Sequence, residues 1–261
     1  MSAKLSKSEW GNLKSRYHFS YENNTHSADR FIYSRNLLNK ELCETYLDSL
    51  ASEIGSPSRR VTASMLAKRY AFLVVAPVLY AMTVYDKNLL LKLDNCRLVS
   101  PSDSEFNVTK SKFPNLSFEE PSVTEPVAGK RKEWRDHVLR QLFAEHISPL
   151  FHALSLFGGI PLVILWENVM VRMAPIYEDG LEEETNPAIL QRLHEDFTFI
   201  TQTAPGSIFG ERRNPFTKFM SKTNIGTMSE LPDIRQTCCF YYEMSSAEYC
   251  RACPKPLECH K

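Results

Sequence analysis

The chain has no surplus of charge: thirty-one Lys and Arg stand against thirty-one Asp and Glu in 261 residues. A partner held through its phosphates calls for a basic excess, so composition gives no reason to expect a nucleic acid. Long apolar runs are also missing. The longest, residues 71–84, covers about 14 positions and contains Pro77, short of the ~20 that a membrane-spanning helix needs. Residues 1–7, Met-Ser-Ala-Lys-Leu-Ser-Lys, are not followed by an apolar h-region. No secretory signal is expected, and the expected location is the cytoplasm, with association at the inner face of the membrane left open. Gly-x-Gly-x-x-Gly and Gly-x4-Gly-Lys-Ser/Thr are absent, which excludes the nucleotide folds that carry those loops. Any electrons this protein uses are therefore expected from another protein or a diffusible reductant. His-Glu-x-x-His and Gly-x-Ser-x-Gly are absent too. His137, His146 and His152 lie at spacings of nine and six that do not share one helix face. Zincin-type and serine-hydrolase chemistry have no footing.

Cysteine is concentrated. Five of seven fall in the last 24 residues: Cys238, Cys239, Cys250, Cys253 and Cys259. The first four read C-C-x10-C-x2-C. Disulfides, a structural zinc and an iron–sulfur cluster are three readings of such a group. A reducing compartment disfavours the first. Zinc sites usually take two spaced pairs such as C-x2-C, whereas neighbouring residues on an extended strand point to opposite faces. Adjacent thiolates suit one metal poorly and suit different irons of one cluster better, since cluster iron is held by thiolates at irregular spacings. Spacing alone leaves zinc as the alternative. Cys43 and Cys96 are isolated and read as packing residues. Cys259 and its neighbour His260 sit where chains fray and are set aside.

Along the chain, a helix is expected near residues 8–14, capped by Ser8. Helical spacing over 36–54 places Leu37, Leu38, Leu42, Tyr46, Leu47 and Leu50 on one face, and Gly55-Ser56-Pro57 ends it. Residues 58–85 read as a long central helix kinked at Pro77. Residues 88–93 and 96–99 read as a hairpin about Asp94-Asn95, with a third strand within 105–118. Residues 121–132 read as a linker. Residues 133–157, bent at Pro149, and 161–176 form a helical hairpin separated by Gly158-Gly159. The acids of 178–184 read as a solvated loop, 186–201 as a helix, and 218–222 as a short helix. From 203 onward Gly and Pro predict loops that deliver the cysteines.

The cysteine pattern, with Pro254 after it and Arg235 before it, resembles the signature of the FhuF-type ferric-siderophore reductases. Leu165-Trp166-Glu167-Asn168 is similar to a segment in the helical hairpin of those proteins and of the related siderophore synthetase C-terminal domains. The likeness runs from about residue 35 to the end. It implies that Cys238, Cys239, Cys250 and Cys253 bind a [2Fe-2S] cluster, and it does not reach Cys43, Cys96 or Cys259. The expected fold is α+β and predominantly α-helical: a helical scaffold, a small antiparallel β element in the N-terminal half, and a loop-rich C-terminal cluster-binding segment. The expected divisions are 1–120, 121–204 and 205–261.

The function this implies is a cytoplasmic ferric-siderophore reductase. One electron converts chelated Fe(III), held by hard oxygen donors, to Fe(II), which those donors hold less tightly. The expected partners are a ferric siderophore of hydroxamate type and an external electron donor. Alternatives are an iron–sulfur carrier or sensor without a chelate substrate, and a zinc-stabilised siderophore-binding or biosynthetic module. Arg212, Arg213, Lys218, Lys222, Arg235, Arg251 and Lys255 surround the cysteines in sequence and are read as solvated charge or as a field acting on the cluster. Trp166, Phe240, Tyr241 and Tyr242 are candidates to wall a cleft or to shield the cluster.

Overall fold

A computed structural model of the chain describes residues 3–17, 30–100, 112–119, 121–220, 234–245 and 248–255. The fold is α+β and predominantly helical. Helix α1, Lys7–Tyr17, opens with a reciprocal cap. The Glu9 N–H donates to Ser6 Oγ at 3.2 Å, and the Ser6 N–H donates to Glu9 Oε2 at 2.6 Å. The capping residue is Ser6, not Ser8, because only Ser6 has a glutamate three residues on.

Strand β1, Phe31–Tyr33, runs into a 3-10 turn, Ser34–Leu38, and then helix α2, Lys40–Ile54. Asn39 caps α2 by accepting from the Leu42 N–H, and Gly55 ends it at φ 69°, a left-handed position that favours glycine. The tighter turn before α2 changes the phase of the helix. Its buried face passes through Cys43, Leu47, Leu50 and Ile54, which leaves Leu38 and Leu42 exposed. Cys43 therefore takes the inner position that spacing alone gave to Leu42.

The central helix is formed by α3, Arg59–Tyr70, a π-turn, Ala71–Val75, and α4, Ala76–Tyr85. It is apolar and long enough to cross a membrane, but 83% of its most apolar window is buried inside the fold. The π-turn explains how Pro77 is accommodated. Proline lacks an N–H and clashes with the carbonyl four residues back. Here the Ala76 N–H reaches back five residues to Ala71 O, which widens the turn ahead of the ring. The device recurs. Helices α5, Arg131–Leu142, and α6, Ser148–Gly158, are joined through the π-turn Phe143–Ile147 just before Pro149. Helix α8, Pro187–Thr198, ends in the π-turn Phe199–Thr203 just before Pro205.

Strands β2, Asn88–Leu90, and β3, Cys96–Val99, exist, and a turn joins them (Asn95 N–H to Lys92 O, 3.0 Å). They do not pair with each other, which corrects the expected hairpin. β2 pairs antiparallel with β5, Ser122–Thr124, inside the expected linker. β3 lies between β1 and β4, Asn115–Phe118, in a second antiparallel sheet. Each strand takes a partner from a segment beyond its sequence neighbour, and local spacing carries no trace of that.

Helix α7, Leu162–Glu183, continues through Pro175 and the acidic stretch. The expected loop at 178–184 is the end of this helix, anchored by buried Ile176 and Tyr177. The helices on both sides of residue 121 share one buried apolar cluster, from Leu5 to Met244. A buried carboxylate, Asp196 on α8, adds a polar tie. It accepts from Arg131 Nη1 and Nη2 at 2.9 and 2.7 Å and from Thr83 Oγ1 at 3.0 Å.

Candidate functional site

The cysteine segment is laid across α3 and α7, and two of the four residues Leu165-Trp166-Glu167-Asn168 do the holding. Leu165 and Trp166 face the core. Trp166 is buried among Phe143, Phe151, Phe209 and Phe216, with ring centroids 5.6–6.3 Å away. It is thus no wall of a cleft, in correction of the sequence reading. Glu167 and Asn168 are buried polar groups and must find partners. They find them in the chain that leads to Cys238. Glu167 Oε1 accepts the Gln236 N–H at 2.6 Å. Glu167 Oε2 accepts the Thr237 N–H at 2.9 Å, the Thr237 hydroxyl, and both Arg235 Nε and Nη2 at 3.3 Å. Arg235 Nη1 donates to Asn168 Oδ1 at 2.7 Å, and the Arg235 N–H donates to Ala252 O at 2.9 Å. Arg235 is therefore a buried strut rather than solvated charge.

From α3, Ser64 Oγ donates to Cys239 O at 2.9 Å, and Asn168 Nδ2 donates to Ser64 O at 3.0 Å. The chain then reverses at Phe240, whose φ of 63° is left-handed, a conformation that costs a residue with a Cβ about 1–3 kcal/mol. The guanidinium of Arg60, 4.3 Å from the Phe240 ring centroid and ion-paired to Glu243 at 3.2 Å, holds it there. The reversal lets the Phe240 N–H donate to Cys238 Sγ at 3.3 Å. A second turn, Cys253 N–H to Cys250 O at 3.0 Å, presents the C-x2-C pair.

The thiols act on one another electrostatically: Cys238 lies in the field of Cys239 and Cys253, and Cys250 in that of the same two. Cys239 is lowered to about 5, first by the hydrogen bond from the Cys250 thiol and, against burial, by Arg235, Lys68 and the Tyr241 N–H. Cys250 is correspondingly raised by that bond and by burial. Burial raises Cys238, opposed by the Phe240 N–H. Cys239 and Cys253 are buried, while Cys238 and Cys250 are half-buried. Among the described residues no three ligating side chains form a site for a single metal ion. The donor set is soft, basic groups surround it and N–H groups face sulfur, all of which fit an anionic iron–sulfur cluster.

The remaining candidates divide. Lys255 Nζ donates to Tyr242 Oη at 2.8 Å, and Lys68 Nζ is 5.7 Å from the Tyr241 ring centroid, so both tyrosines stand beside the thiols. Gln236 Nε2 donates to Lys218 O at 2.7 Å. Of the expected helix at 218–222, a 3-10 turn, Thr217–Phe219, is present, and Lys222 lies outside the described residues, as do Cys259 and His260. Cys43 and Cys96 are buried in the core, far in sequence from the other thiols. Burial pushes both thiols up, Cys43 to about 11 and Cys96 to about 12. His146 is buried as well. Its Nδ1 donates to Leu91 O at 2.7 Å, which leaves Nε2 to accept from Tyr70 Oη at 2.6 Å, so it is a neutral core residue.

A cleft of about 880 Å³ opens beside Cys250 and runs along α7. Lys68, Arg172, Arg235 and Arg251 line its inner end, and Glu178, Asp179 and Glu182 line its outer end. Lys68 and Arg172 were not singled out in the sequence. They sit on apolar helices far from the cysteines along the chain, and only the packing of α3 on α7 brings them to the thiols.

No curated protein matches the chain. Among solved structures, the aerobactin synthetase IucC from a hypervirulent pathotype of Klebsiella pneumoniae is similar over 73% of this chain at 14% identity and a TM-score of 0.45. The match spans only 36% of the synthetase's length. Residues 235–255, which hold all four clustered cysteines, match the FhuF 2Fe-2S C-terminal domain. Residues 64–224, more than half of the chain, match the ferric iron reductase FhuF-like transporter family, and the chain belongs to that family, with a [2Fe-2S] cluster as its cofactor.

Proposed function

We propose that this protein is a cytoplasmic one-electron reductase of ferric siderophores of hydroxamate type, with the [2Fe-2S] cluster held by Cys238, Cys239, Cys250 and Cys253. The observation that carries this reading is the four-cysteine segment tied to α3 and α7 by Ser64, Glu167 and Asn168, with an open cleft against Cys250. A bound cluster supplies one electron at a time, at a potential set by charge, hydrogen bonds to sulfur and exposure.

The chain's own residues do the rest. Glu167 and Ser64 fix the backbone on either side of Cys238 and Cys239. The Phe240 N–H bonds to the Cys238 sulfur. Lys68, Arg172 and Arg235 place positive charge beside the thiols, which favours the more reduced, more negative state. Tyr241 and Tyr242 limit the approach of water. Reduction of the chelated Fe(III) needs no proton transfer and no covalent intermediate. The electron comes to the protein from an external donor, and Fe(II), less tightly held by hard oxygen donors, is then released.

The test is anaerobic mixing of dithionite-reduced holoprotein, freed of excess reductant, with a ferric trihydroxamate in the presence of a ferrous-specific chelator. The expected result is one trapped Fe(II) per cluster reoxidised. A cluster that stays reduced in the presence of every ferric siderophore tried would leave an electron carrier or sensor in place of a reductase.

A further inference from the structure

Two cations at the inner end of the cleft, Lys68 and Arg172, have no carboxylate partner among the described residues. Arg235 is matched by Glu167, but neither Lys68 nor Arg172 is ion-paired with a carboxylate among the described residues. Their placed contacts are ring faces: Lys68 over Tyr241 at 5.7 Å and Arg172 over Phe72 at 5.6 Å. Arg172 Nε is buried with no hydrogen-bond partner among the described residues. A buried guanidinium N–H without an acceptor is costly, and this one belongs to a residue that lines the cleft. Arg251, exposed on the C-x2-C turn, completes the group.

Two other sources of negative charge have to be weighed. An oxidised all-thiolate [2Fe-2S] cluster carries a formal charge of about −2, which the three cations Lys68, Arg172 and Arg251, without carboxylate partners among the described residues, exceed. The outer acids stand farther along α7. Glu178, Asp179 and Glu182 follow Arg172 by six, seven and ten residues along α7, and they orient an anion by repelling it from the outer end. The cleft's volume, about 880 Å³, falls in the range of roughly 300–1,000 Å³ typical of small-molecule sites.

We propose that this cleft is the chelate-binding site and that Lys68, Arg172 and Arg251 select a ferric chelate carrying an uncompensated carboxylate, with its anionic end toward Cys250; the proposal rests on the reductase reading above. A planar guanidinium matches a carboxylate in shape as well as charge. A neutral tris-hydroxamate complex gains nothing from these three residues.

Gallium(III) complexes separate binding from electron transfer, because Ga(III) keeps the geometry of Fe(III) and is not reduced. The probes are the Ga(III) complexes of a carboxylate-bearing dihydroxamate and of a neutral trihydroxamate. Both are measured by equilibrium dialysis against oxidised holoprotein. The anionic complex is expected to bind more tightly, to weaken with added salt, and to lose about tenfold in affinity in Lys68→Met and in Arg172→Met. The neutral complex should change by less than about twofold. If either buried substitution lowers cluster content, the exposed Arg251→Gln variant and the salt dependence decide, and both should weaken the anionic complex only.

Equal binding of the two complexes, or affinities that ignore salt and all three substitutions, would overturn the assignment. Electron transfer to ferric complexes that persists alongside such indifference would sink the site and spare the reductase. Charge-dependent Ga(III) binding without any electron transfer to the ferric complexes would do the reverse.

Discussion

Asp196 and Glu167 are both buried carboxylates paired with arginine, yet they hold together very different kinds of structure. Asp196 joins regular elements. Arg131 of α5 and Thr83 of α4 bind it on α8, a helix that also packs on α7 through Phe197 and Tyr177, with centroids 5.1 Å apart. Glu167 joins a helix to irregular chain. Its partners are two backbone N–H groups, a hydroxyl and Arg235, in a segment whose buried side chains among the described residues are Arg235, Cys239, Met244 and Cys253. The scaffold around Asp196 is held mainly by apolar burial, with the carboxylate as a local specification. The segment around Glu167 has little apolar area to bury, so polar ties and the cluster must order it. Global stability and cluster retention should therefore respond to different residues.

The largest effects should come from the carboxylates themselves. Removing one partner of a buried ion pair costs about 3–5 kcal/mol, because the other charge is left uncompensated. Asp196→Ala should lower the free energy of urea unfolding by that amount, while the folded fraction keeps its iron and sulfide. Glu167→Ala should do the opposite: it should deplete iron and sulfide while the urea midpoint of the helical scaffold, followed by far-ultraviolet circular dichroism, moves little. Like responses in the two variants would break the comparison.

A pH effect of up to about 3 kcal/mol is expected from His146 in the scaffold. Burial, opposed by its bond to Leu91 O, lowers His146 from 6.5 to about 4. Between these values the unfolded chain binds a proton that the folded chain does not. This contribution is fully present above pH 6.5 and is lost as pH falls toward 4. Urea unfolding at a series of pH values should show this slope in the wild type and a shallower one in His146→Gln. The smallest effect concerns the tether from α3. Ser64→Ala removes the donor to Cys239 O, worth about 1 kcal/mol, and should speed cluster loss to an iron chelator a few-fold with no change in scaffold unfolding.

The sequence exposes these two regions unequally. The helices, their proline interruptions and the four clustered cysteines are legible, because helical periodicity and thiol spacing are local signals. The partners of β2 and β3 are not, since the paired residues stand 16 to 68 positions apart along the chain. The acidic run at 178–184 reads as loop because charge masks the last turns of a helix anchored by Ile176 and Tyr177. Around the cysteines the sequence shows the donors but not their support. Glu167 and Asn168 end the Leu165–Asn168 stretch, and their surroundings reveal a role only when α7 meets residues 235–237. Two charged or amide residues on an otherwise apolar helix face were the available signal. Lys68 and Arg172 gave none beyond being charges on largely buried helices.

The central claim is that Cys238, Cys239, Cys250 and Cys253, and no other cysteines, hold the [2Fe-2S] cluster. The most direct measurement is iron and acid-labile sulfide content, with electron paramagnetic resonance of the dithionite-reduced protein, on anaerobically purified wild type and the single Cys→Ser variants. The account predicts a signal of one unpaired electron per chain in the wild type, lost or altered in each of those four variants and unchanged in Cys43→Ser, Cys96→Ser and Cys259→Ser. A wild-type protein that is colourless with stoichiometric zinc, or a normal signal in any of the four variants, would contradict it.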